Sequence, residues 1–313
     1  MIRAAVICVP ARNEARRLPV LLEALAAQEA PGPIKVALCI NNSNDASATV
    51  ACHAARSAGG RLEVRTAIRT FSPELAHVGS ARRAAMDLGA EWLGNDSGLL
   101  ISTDADCRPP AGWLAANLAH ADAAAQAGKQ RIIGGKIELD SREKDKWPEL
   151  FVMRKGFDAY WAKVRELEDA VDPIPWDPPP RHGDHTGASL ALSVGLYRAA
   201  GGVPIMRTGE DRALVIAAIA AGGELVHPID VWTRTSARPI GRAEDGMATD
   251  MRRWLAAGAG SARPQVPAYW RWHGRALWRR SLRPVLGPDL LARAEAALPP
   301  MPSEMPLPEG LLQ

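Results

Sequence analysis

The sequence predicts an α/β fold in which a mostly parallel sheet is flanked by helices. Short apolar runs alternate with stretches of helical periodicity along the first part of the chain, up to residue 126. Strands that alternate with helices of this length form βαβ units, and βαβ units make parallel sheets. Several of the apolar runs lead directly into polar loops. In an open α/β sheet such loops lie at the carboxyl ends of the strands, where ligands bind.

The first strand and the first helix have the clearest patterns. Ala4 to Val9 is a continuous apolar run, which is typical of a central strand buried on both faces. Leucines from Leu18 to Leu25 then recur at i, i+3, i+4 and i+7, which places them on one face of a helix. Further strands are predicted at 35–40, 62–67 and 99–103. Further helices are predicted at 46–57, 76–88 and 113–126.

The second half of the chain has a looser pattern. Strands are predicted at 131–139 and 224–231, and helices at 141–172 and 211–221. The proline-rich segment 172–180 predicts a mobile or gating loop, because proline fixes φ and lacks an N–H donor. Residues from 246 onward are predicted to be helical. We therefore expect a sheet domain over 1–245 and a helical, basic C-terminal extension over 246–313.

Composition and charge exclude several classes of protein. Of the 313 residues, 47% are hydrophobic and 23% are charged, as in ordinary globular proteins. The net charge of +3 is too small to indicate a nucleic-acid partner, and we expect none. The four cysteines have no metal-finger spacing, which favours reduced and buried thiols. No apolar run has the length of a signal peptide or a membrane span, so we expect a cytoplasmic protein.

Two carboxylates follow the fourth predicted strand. The run Leu99 to Ser102 has little polarity, and Asp104 and Asp106 come after it with only Ala105 between them. Side chains of a strand alternate between its faces, so both carboxylates point the same way. Carboxylates and substrate phosphates together are the usual ligands of a hard divalent cation. The pair therefore predicts a cation-assisted diphosphate site, and the alternative is a turn that only ends the strand.

Short motifs occur in a fixed order between residues 4 and 240. They are VPARNE from Val9, NNSND from Asn41, GSARR from Gly79, TDADC from Thr103, TGAS from Thr186, AGG from Ala200 and GED from Gly209. This ordered set resembles the inverting glycosyltransferases of family 2, which have the GT-A fold. The resemblance implies a hexosyltransferase with a nucleotide-sugar half at 1–125 and an acceptor half at 126–245.

The resemblance assigns donor-binding roles to residues of the first three loops. Pro10, Arg12 and Glu14 match the positions that hold the nucleotide in the family. Asn41 stands where the family commonly has an aspartate that reads the base edge. Because an amide both donates and accepts hydrogen bonds, Asn41 leaves the choice of nucleobase open. Arg82 matches the arginine that approaches the donor, and a guanidinium suits phosphate recognition.

The resemblance also implies a metal site and a general base. Asp104 and Asp106 would hold Mn²⁺ or Mg²⁺ and the donor diphosphate, with Asp106 as the direct ligand. Glu210 and Asp211 lie where the family has its base, and Asp211 is the predicted one. Inverting transfer needs a carboxylate that takes the proton of the acceptor hydroxyl. Asp211 can also stabilise the first turn of the following helix by its charge alone.

Acceptor contacts are predicted after the proline-rich segment and after the last strand. Two histidines and an aspartate between residues 182 and 185 suggest zinc as an alternative, but their tight spacing and the lack of a third convincing ligand argue against it. An arginine cluster after the last strand suits an anionic acceptor or the leaving diphosphate. The predicted acceptor-binding residues are Asp184, His185, Gly187, Ala188 and Arg238.

The C-terminal extension suggests contact with a membrane surface. Arg271, Arg275 and Arg279 recur every four residues beside Trp270 and Leu277, which predicts a basic amphipathic helix. Such a helix binds an anionic membrane surface and would bring the enzyme, at the inner face of the membrane, to a lipid-linked acceptor. Carbohydrate and small-molecule acceptors stay open. The alternative is a helix packed on the domain with its arginines in water.

Two other functions remain as alternatives. A nucleotidyltransferase that makes sugar nucleotides has a similar fold and a carboxylate-bound metal, but it carries a basic, glycine-rich loop where this chain has Pro10 to Glu14. A catalytically inactive, membrane-docked binding protein on the same fold is the second alternative. Intact carboxylates at Asp104, Asp106 and Asp211 argue against it.

Overall fold

The computed structural model describes residues 4–241, 246–258 and 263–308. The chain divides into two compact units. The first consists of Met1–Glu138 and Asp184–Thr235, and the second of Leu139–Gly183 and Ser236–Gln313. Residues 139–183, which we predicted within the sheet domain, thus share apolar cores with the C-terminal segment.

The first unit is built on a seven-stranded sheet. The strands of the chain are β1 Ala5–Ala11, β2 Ile34–Asn41, β3 Leu62–Arg69, β4 Leu99–Ser102, β5 Cys107–Arg108, β6 Arg131–Gly134, β7 Lys136–Leu139, β8 Leu190–Ser193, β9 Glu224–Val226, β10 Trp232–Thr235, β11 Gln265–Val266 and β12 Met305–Pro306. The large sheet has the order β3-β2-β1-β4-β8-β6-β9, and β8 runs antiparallel to both of its neighbours. The other pairs are parallel, so the prediction of a mostly parallel sheet is confirmed.

Helices follow most of the strands, as the alternating pattern predicts. They are α1 Leu18–Ala26, α2 Ser47–Ser57, α3 Val78–Leu93, α4 Trp113–Gln126, α5 Pro148–Val171, α6 Val194–Ala199, α7 Glu210–Ala220, α8 Met247–Gly258, α9 Tyr269–Leu282 and α10 Pro288–Ala296. A 3₁₀ helix, Ser141–Lys146, precedes α5. Between α5 and β8 the proline-rich segment has no regular structure, as predicted, and its proposed mobility stays a prediction.

Helix α3 packs closely on the middle of the large sheet. Its buried face includes Ala85 and Met86, which lie in one core with Val6 and Cys8 of β1. Gly89 permits this approach, because a Cβ atom at that position would lie 2.7 Å from the Cys8 sulfur. In the sheet, Cys8 of β1 is the partner of Ser102 of β4, so the loops after these two strands meet at one edge. The close packing places the N-terminal half of α3 beside that edge.

Two strand predictions differ from the structure. The predicted strand at 131–139 is two strands, β6 and β7, which belong to different sheets. They separate at Gly135, where a Cβ atom would lie only 2.0 Å from the Ser189 hydroxyl oxygen. The predicted strand at 224–231 ends at Val226, and Pro228 then begins a turn in which its carbonyl accepts a hydrogen bond from the Val231 amide.

The second unit has two small apolar cores. One contains Tyr160 and Val164 of α5 with Val266 and Leu307, and the aromatic rings of α5 and α9 pack around it. The Tyr160 hydroxyl donates to the Pro267 carbonyl and accepts from the indole N–H of Trp272, at 2.7 Å. These bonds satisfy the polar atoms of a largely buried aromatic cluster.

The arginines of α9 have carboxylate partners within the second unit. Arg271 contacts Glu304 at 2.6 Å, and Arg279 contacts Glu168 at 2.6 Å and Glu295 at 2.9 Å. The alternative of a packed helix therefore describes α9 better, although Arg271, Arg275 and Arg279 lie in ion pairs rather than in water. No described helix combines the length and the apolar character that a membrane crossing needs.

Candidate active site

Polar side chains gather at the carboxyl edge of the large sheet. Thr103, directly after β4, is fully buried; its amide donates to the Cys8 carbonyl and its hydroxyl donates to the Ala188 carbonyl at 2.9 Å. These two bonds fix the chain just before Asp104 and Asp106, both of which are half-buried. The predicted carboxylate pair therefore stands on a rigid support at the edge where ligands bind in α/β sheets.

Arg82 of α3 occupies the centre of this group of residues. Its side chain is 3% exposed, and its Nε donates to Glu210 Oε1 at 3.0 Å while Nη2 donates to Asp104 Oδ1 at 2.9 Å. Nη1 donates to the Ser102 hydroxyl at 2.7 Å. The guanidinium is thus enclosed by protein acceptors. We predicted that it approaches the donor phosphates, and here it holds two carboxylates of the site instead.

Gly187 links the guanidinium to the second predicted carboxylate. Its carbonyl accepts from Arg82 Nη1 at 2.9 Å, and its amide donates to Asp211 Oδ2 at 2.8 Å. A Cβ atom on residue 187 would lie 2.2 Å from Cζ of Arg82, so only glycine fits against the guanidinium. A continuous chain of hydrogen bonds therefore runs from Asp104 through Arg82 and Gly187 to Asp211.

The charges of this cluster differ in their burial. Burial lowers the pKa of Arg82, but Asp104, Glu210 and Asp211 outweigh that effect and hold its pKa above the usual range. Burial raises the pKa of Glu210, against the opposing effect of Arg82. Glu210 is 4% exposed, whereas Asp211 is half-buried and also accepts from the Arg212 amide at 2.7 Å. Of the two acidic residues that begin α7, Asp211 is the more exposed one.

The loops after β1 and β2 are joined by hydrogen bonds. The amide of Glu14, a residue that is 7% exposed, donates to the Ser47 hydroxyl at 2.8 Å. Arg12 is exposed, and its guanidinium donates to the Ala76 carbonyl at 2.9 Å. Pro10 is buried within β1. The predicted nucleotide-binding residues therefore share one edge, with only Arg12 reaching far into solvent.

Asn41 stands out among these residues because its side-chain nitrogen is buried without a hydrogen-bond partner. It is 2% exposed, and its Nδ2 lies within hydrogen-bonding distance of no acceptor in the described chain. A buried donor without a partner destabilises the folded state by about 1–3 kcal/mol. An amide held in this way at a ligand-binding edge is suited to a ligand that supplies the missing acceptor.

Two asparagines shape these loops, and both lie in the motifs VPARNE and NNSND, where no role was assigned to them. Asn13 and Asn42 have φ angles of 52° and 44°, in the left-handed region that asparagine tolerates. Asn13 Oδ1 accepts from the Asn44 amide at 2.8 Å, and the Asn42 side chain donates to the Phe71 carbonyl and accepts from its amide. Asparagine within a short polar loop that follows an apolar run was the signal that could have identified them.

The predicted acceptor-binding residues fall into two groups. Asp184, His185, Gly187 and Ala188 lie in the first unit, whereas Arg238 lies in the second. The Asp184 carboxylate accepts from the Ile137 amide at 2.9 Å. Ala188 is 6% exposed, so its contribution to the site is through its backbone.

His185 has a histidine neighbour that the sequence analysis missed. Its Nδ1 lies 3.2 Å from Nε2 of His227, a residue that is 6% exposed. His227 follows β9 directly, and no motif marks it. One ring of this pair must donate and the other accept, which fixes the orientation of His185.

The carboxylates after β4 suit a hard cation. No three His, Cys, Asp or Glu side chains lie together as a metal cluster in the part of the chain that the structure describes, so the zinc alternative gains no support. Asp104 and Asp106 supply oxygen donors, which Mg²⁺ and Mn²⁺ prefer. A cation here would need substrate phosphates to complete its coordination, and this fits the way Mg²⁺ binds nucleotides.

Comparison with solved structures identifies the fold. The chain is similar to S. aureus TarS (residues 1–349) in complex with UDP-GlcNAc, with a TM-score of 0.53 and 15% identity over 92% of this chain and 69% of that one. It is also similar to the mannosyltransferase PcManGT from Pyrobaculum calidifontis in complex with GDP-Man and Mn²⁺, with a TM-score of 0.50 and 18% identity over 96% of this chain and 77% of that one. The chain has the GT-A fold. No protein-family model and no curated protein matches it.

In the GT-A fold of this chain, the predicted carboxylates occupy the carboxyl edge of the sheet. The fold prediction made from the ordered motifs is confirmed. At such low sequence identity the likeness establishes the fold alone, so the assignment of roles to Asp104, Asp106 and Asp211 rests on their chemistry.

Proposed function

We propose that this protein is a glycosyltransferase that moves a sugar from a nucleotide-diphosphate donor to an acceptor hydroxyl, with inversion and with a divalent cation. The observation that carries the proposal is the chain of hydrogen bonds from Asp104 through Arg82 and Gly187 to Asp211. It joins a carboxylate suited to a cation and a carboxylate suited to proton transfer at one edge of a GT-A sheet. TarS with UDP-GlcNAc and PcManGT with GDP-Man and Mn²⁺ share this fold and support a donor of this class.

On the donor side, Asp106 and Asp104 would hold the cation, which would supply positive charge for binding the diphosphate. Arg82 positions Asp104 through their ion pair and does not touch the donor, because its guanidinium is enclosed by protein acceptors. Pro10, Arg12, Glu14 and Asn41 bind the nucleoside, and the unpartnered amide of Asn41 offers a donor to the base or ribose. A bound Mn²⁺ or Mg²⁺ would neutralise the negative charge that develops on the departing nucleoside diphosphate.

On the acceptor side, Asp211 takes the proton of the attacking hydroxyl. The acceptor oxygen then bonds to the anomeric carbon from the face opposite the diphosphate, and the bond to the diphosphate oxygen breaks with its electron pair. The Gly187 amide holds Asp211 Oδ2 at 2.8 Å and so fixes the direction of the carboxylate. Asp184, His185, Gly187 and Ala188 contribute to acceptor binding, with His185 oriented by His227. The predicted acceptor contact of Arg238, a residue of the second unit, stays a prediction.

The acceptor is a carbohydrate, a small molecule or a lipid-linked molecule. For a lipid-linked acceptor, contact with a membrane would involve the exposed side chains of α9, of which Trp270 is 64% and Leu277 is 47% exposed. The ion pairs of Arg271, Arg275 and Arg279 reduce the positive charge that this helix offers to an anionic surface.

Release of nucleoside diphosphate from UDP-, GDP-, dTDP- and CDP-sugars tests the proposal. We expect one donor class to be hydrolysed slowly in the presence of Mn²⁺ or Mg²⁺, and no release with a chelator. Asp211→Asn should bind the same donor without turnover. Release of pyrophosphate from a nucleoside triphosphate and a sugar phosphate would instead establish the nucleotidyltransferase alternative.

A further inference from the structure

A cavity of about 610 Å³ lies in the first unit, away from the candidate active site. Its wall includes Leu99, the first residue of β4, and Arg131, the first residue of β6. These two strands run in the same direction, and Asp104 follows the opposite end of β4. The cavity therefore opens at the amino edge of the sheet. Its volume falls in the range of pockets that bind small molecules.

Small side chains create the cavity. Helix α4 contributes Ala121, Ala124 and Ala125 to its wall, and the turn after α4 contributes Gly128. Leucine or isoleucine at these positions would fill the space, as they do in the core of the same sheet. The polar part of the wall is ordered by the Ser193 hydroxyl, which donates to Gln130 Oε1 at 2.9 Å.

Arg131 is the unusual residue of this wall. It is half-buried, its Nε is buried without an acceptor, and no described carboxylate forms an ion pair with it. Its neighbour across the sheet, Glu224, is bound to Lys129 at 2.9 Å. The acidic residue of the wall itself, Asp96, contacts Arg198 at 2.6 Å. A partly buried guanidinium without a counterion destabilises the folded state unless a ligand supplies the missing acceptor.

We propose that this cavity binds a small molecule that carries a phosphate or a carboxylate group, and that its oxyanion pairs with Arg131. The planar guanidinium offers parallel N–H donors whose geometry matches both groups. Lys129 is bound to Glu224, and the hydroxyls of Ser97 and Ser193 already donate to the side-chain oxygens of Asn95 and Gln130, so Arg131 is the residue of this wall that pairs with the oxyanion. The site is independent of the proposed transferase activity, since it shares no residue with the candidate active site.

Thermal unfolding with inorganic phosphate or succinate tests the proposal. A chelator is present throughout, so that cation-dependent binding of phosphate at Asp104 and Asp106 does not contribute. A ligand that binds only the folded state stabilises it by mass action. The Tm of the wild-type protein should therefore rise with one of the two anions at millimolar concentration. This rise should exceed the effect of chloride at equal ionic strength.

Arg131→Met is the decisive variant. It removes a buried donor without a partner, so without anion its Tm should equal or exceed that of the wild type. Its Tm should then lose the response to the anion. In a separate titration without chelator, its response to nucleoside diphosphate and Mn²⁺ should equal that of the wild type. Arg56→Met, at an exposed position of the same unit, is the matched control and should keep the wild-type response.

A second variant tests whether anion binding needs the space of the cavity as well as the charge of Arg131. Ala125→Leu fills part of the space while leaving Arg131 in place, and it should also weaken the anion response. A response to phosphate alone identifies a phosphate-bearing ligand, and a response to succinate alone a carboxylate-bearing one. Equal responses in the wild type and Arg131→Met, or no response of the wild type to either anion, would overturn the proposal.

Discussion

Replacing Arg82 by methionine removes the positive charge of the guanidinium while keeping much of the volume of the side chain. Glu210, whose side chain is 5% exposed, is then left as a buried carboxylate without a counterion. Removing one partner of a buried ion pair destabilises a protein by about 3–5 kcal/mol. The Asp104 pair adds about 1 kcal/mol or less, because the Asp104 side chain is 36% exposed and solvent screens the interaction. We expect the free energy of unfolding of the first unit to fall by about 3–5 kcal/mol.

The fall in the free energy of unfolding of Arg82→Met should depend on pH. Burial raises the pKa of Glu210 above its usual value of 4.5, and Arg82 opposes this rise. Without Arg82 the pKa of Glu210 rises further, so the folded state binds the proton more tightly than the unfolded state does. Such a group stabilises the fold below its unfolded pKa, and this contribution disappears as the pH rises through the folded pKa. The deficit of Arg82→Met should therefore be smaller near pH 5 than near pH 8.

Native-state hydrogen exchange of the β1 and β4 amides measures this free energy within the first unit. Arg83→Met is the matched control, since the side chains of Arg83 and its partner Asp87 are 35% and 43% exposed. Its free energy of unfolding should fall by much less than that of Arg82→Met. Adding Glu210→Gln to Arg82→Met should recover part of the stability and remove the pH dependence. Equal losses in the two arginine variants, or a deficit that does not change with pH, would refute the reasoning.

Other predictions concern the remaining parts of the site. Asp106→Ala should lose the cation-dependent part of nucleotide binding in a thermal-shift titration, and full binding in this variant would contradict the ligand assignment. Asp211→Asn should keep donor binding and lower transfer by about 10²–10⁴-fold, the usual contribution of a general base, so wild-type turnover would place the base elsewhere. Gly187→Ala should destabilise the first unit by about 1–3 kcal/mol, because its Cβ would overlap the Arg82 guanidinium. Gly112→Ala, where a Cβ meets no atom within 4 Å, is its control and should be close to neutral in urea unfolding.

The sequence predicted the central part of the fold because its strands and helices have strong local patterns. The apolar run Ala4 to Val9 corresponds to β1, and the predicted helix at 113–126 coincides with α4. Both depend on neighbouring residues only. The edge of the sheet was harder to predict, since the separation of β6 from β7 depends on the contact of Gly135 with the distant Ser189.

The sequence selected candidate site residues but not the contacts between them. Asp104, Asp106 and Asp211 could be selected by motif and position, and the structure places Asp104 and Asp211 in one hydrogen-bonded chain. The environment of Arg82 was not predictable, because its partners Gly187 and Glu210 lie 105 and 128 residues away in sequence. Nothing local to an arginine in a helix distinguishes one that is enclosed by carboxylates from one that faces a substrate.

The measurement that tests the central claim most directly is a binding panel of UDP, GDP, dTDP and CDP, each with Mn²⁺ and with a chelator, on the wild type and on Asp106→Ala. The rise in Tm reports binding to the folded state. The account predicts that one nucleotide raises the Tm of the wild type only with Mn²⁺ and that Asp106→Ala loses this response. If no nucleotide shifts the wild type, or if Asp106→Ala responds as the wild type does, the carboxylate pair after β4 is not a cation-assisted diphosphate site.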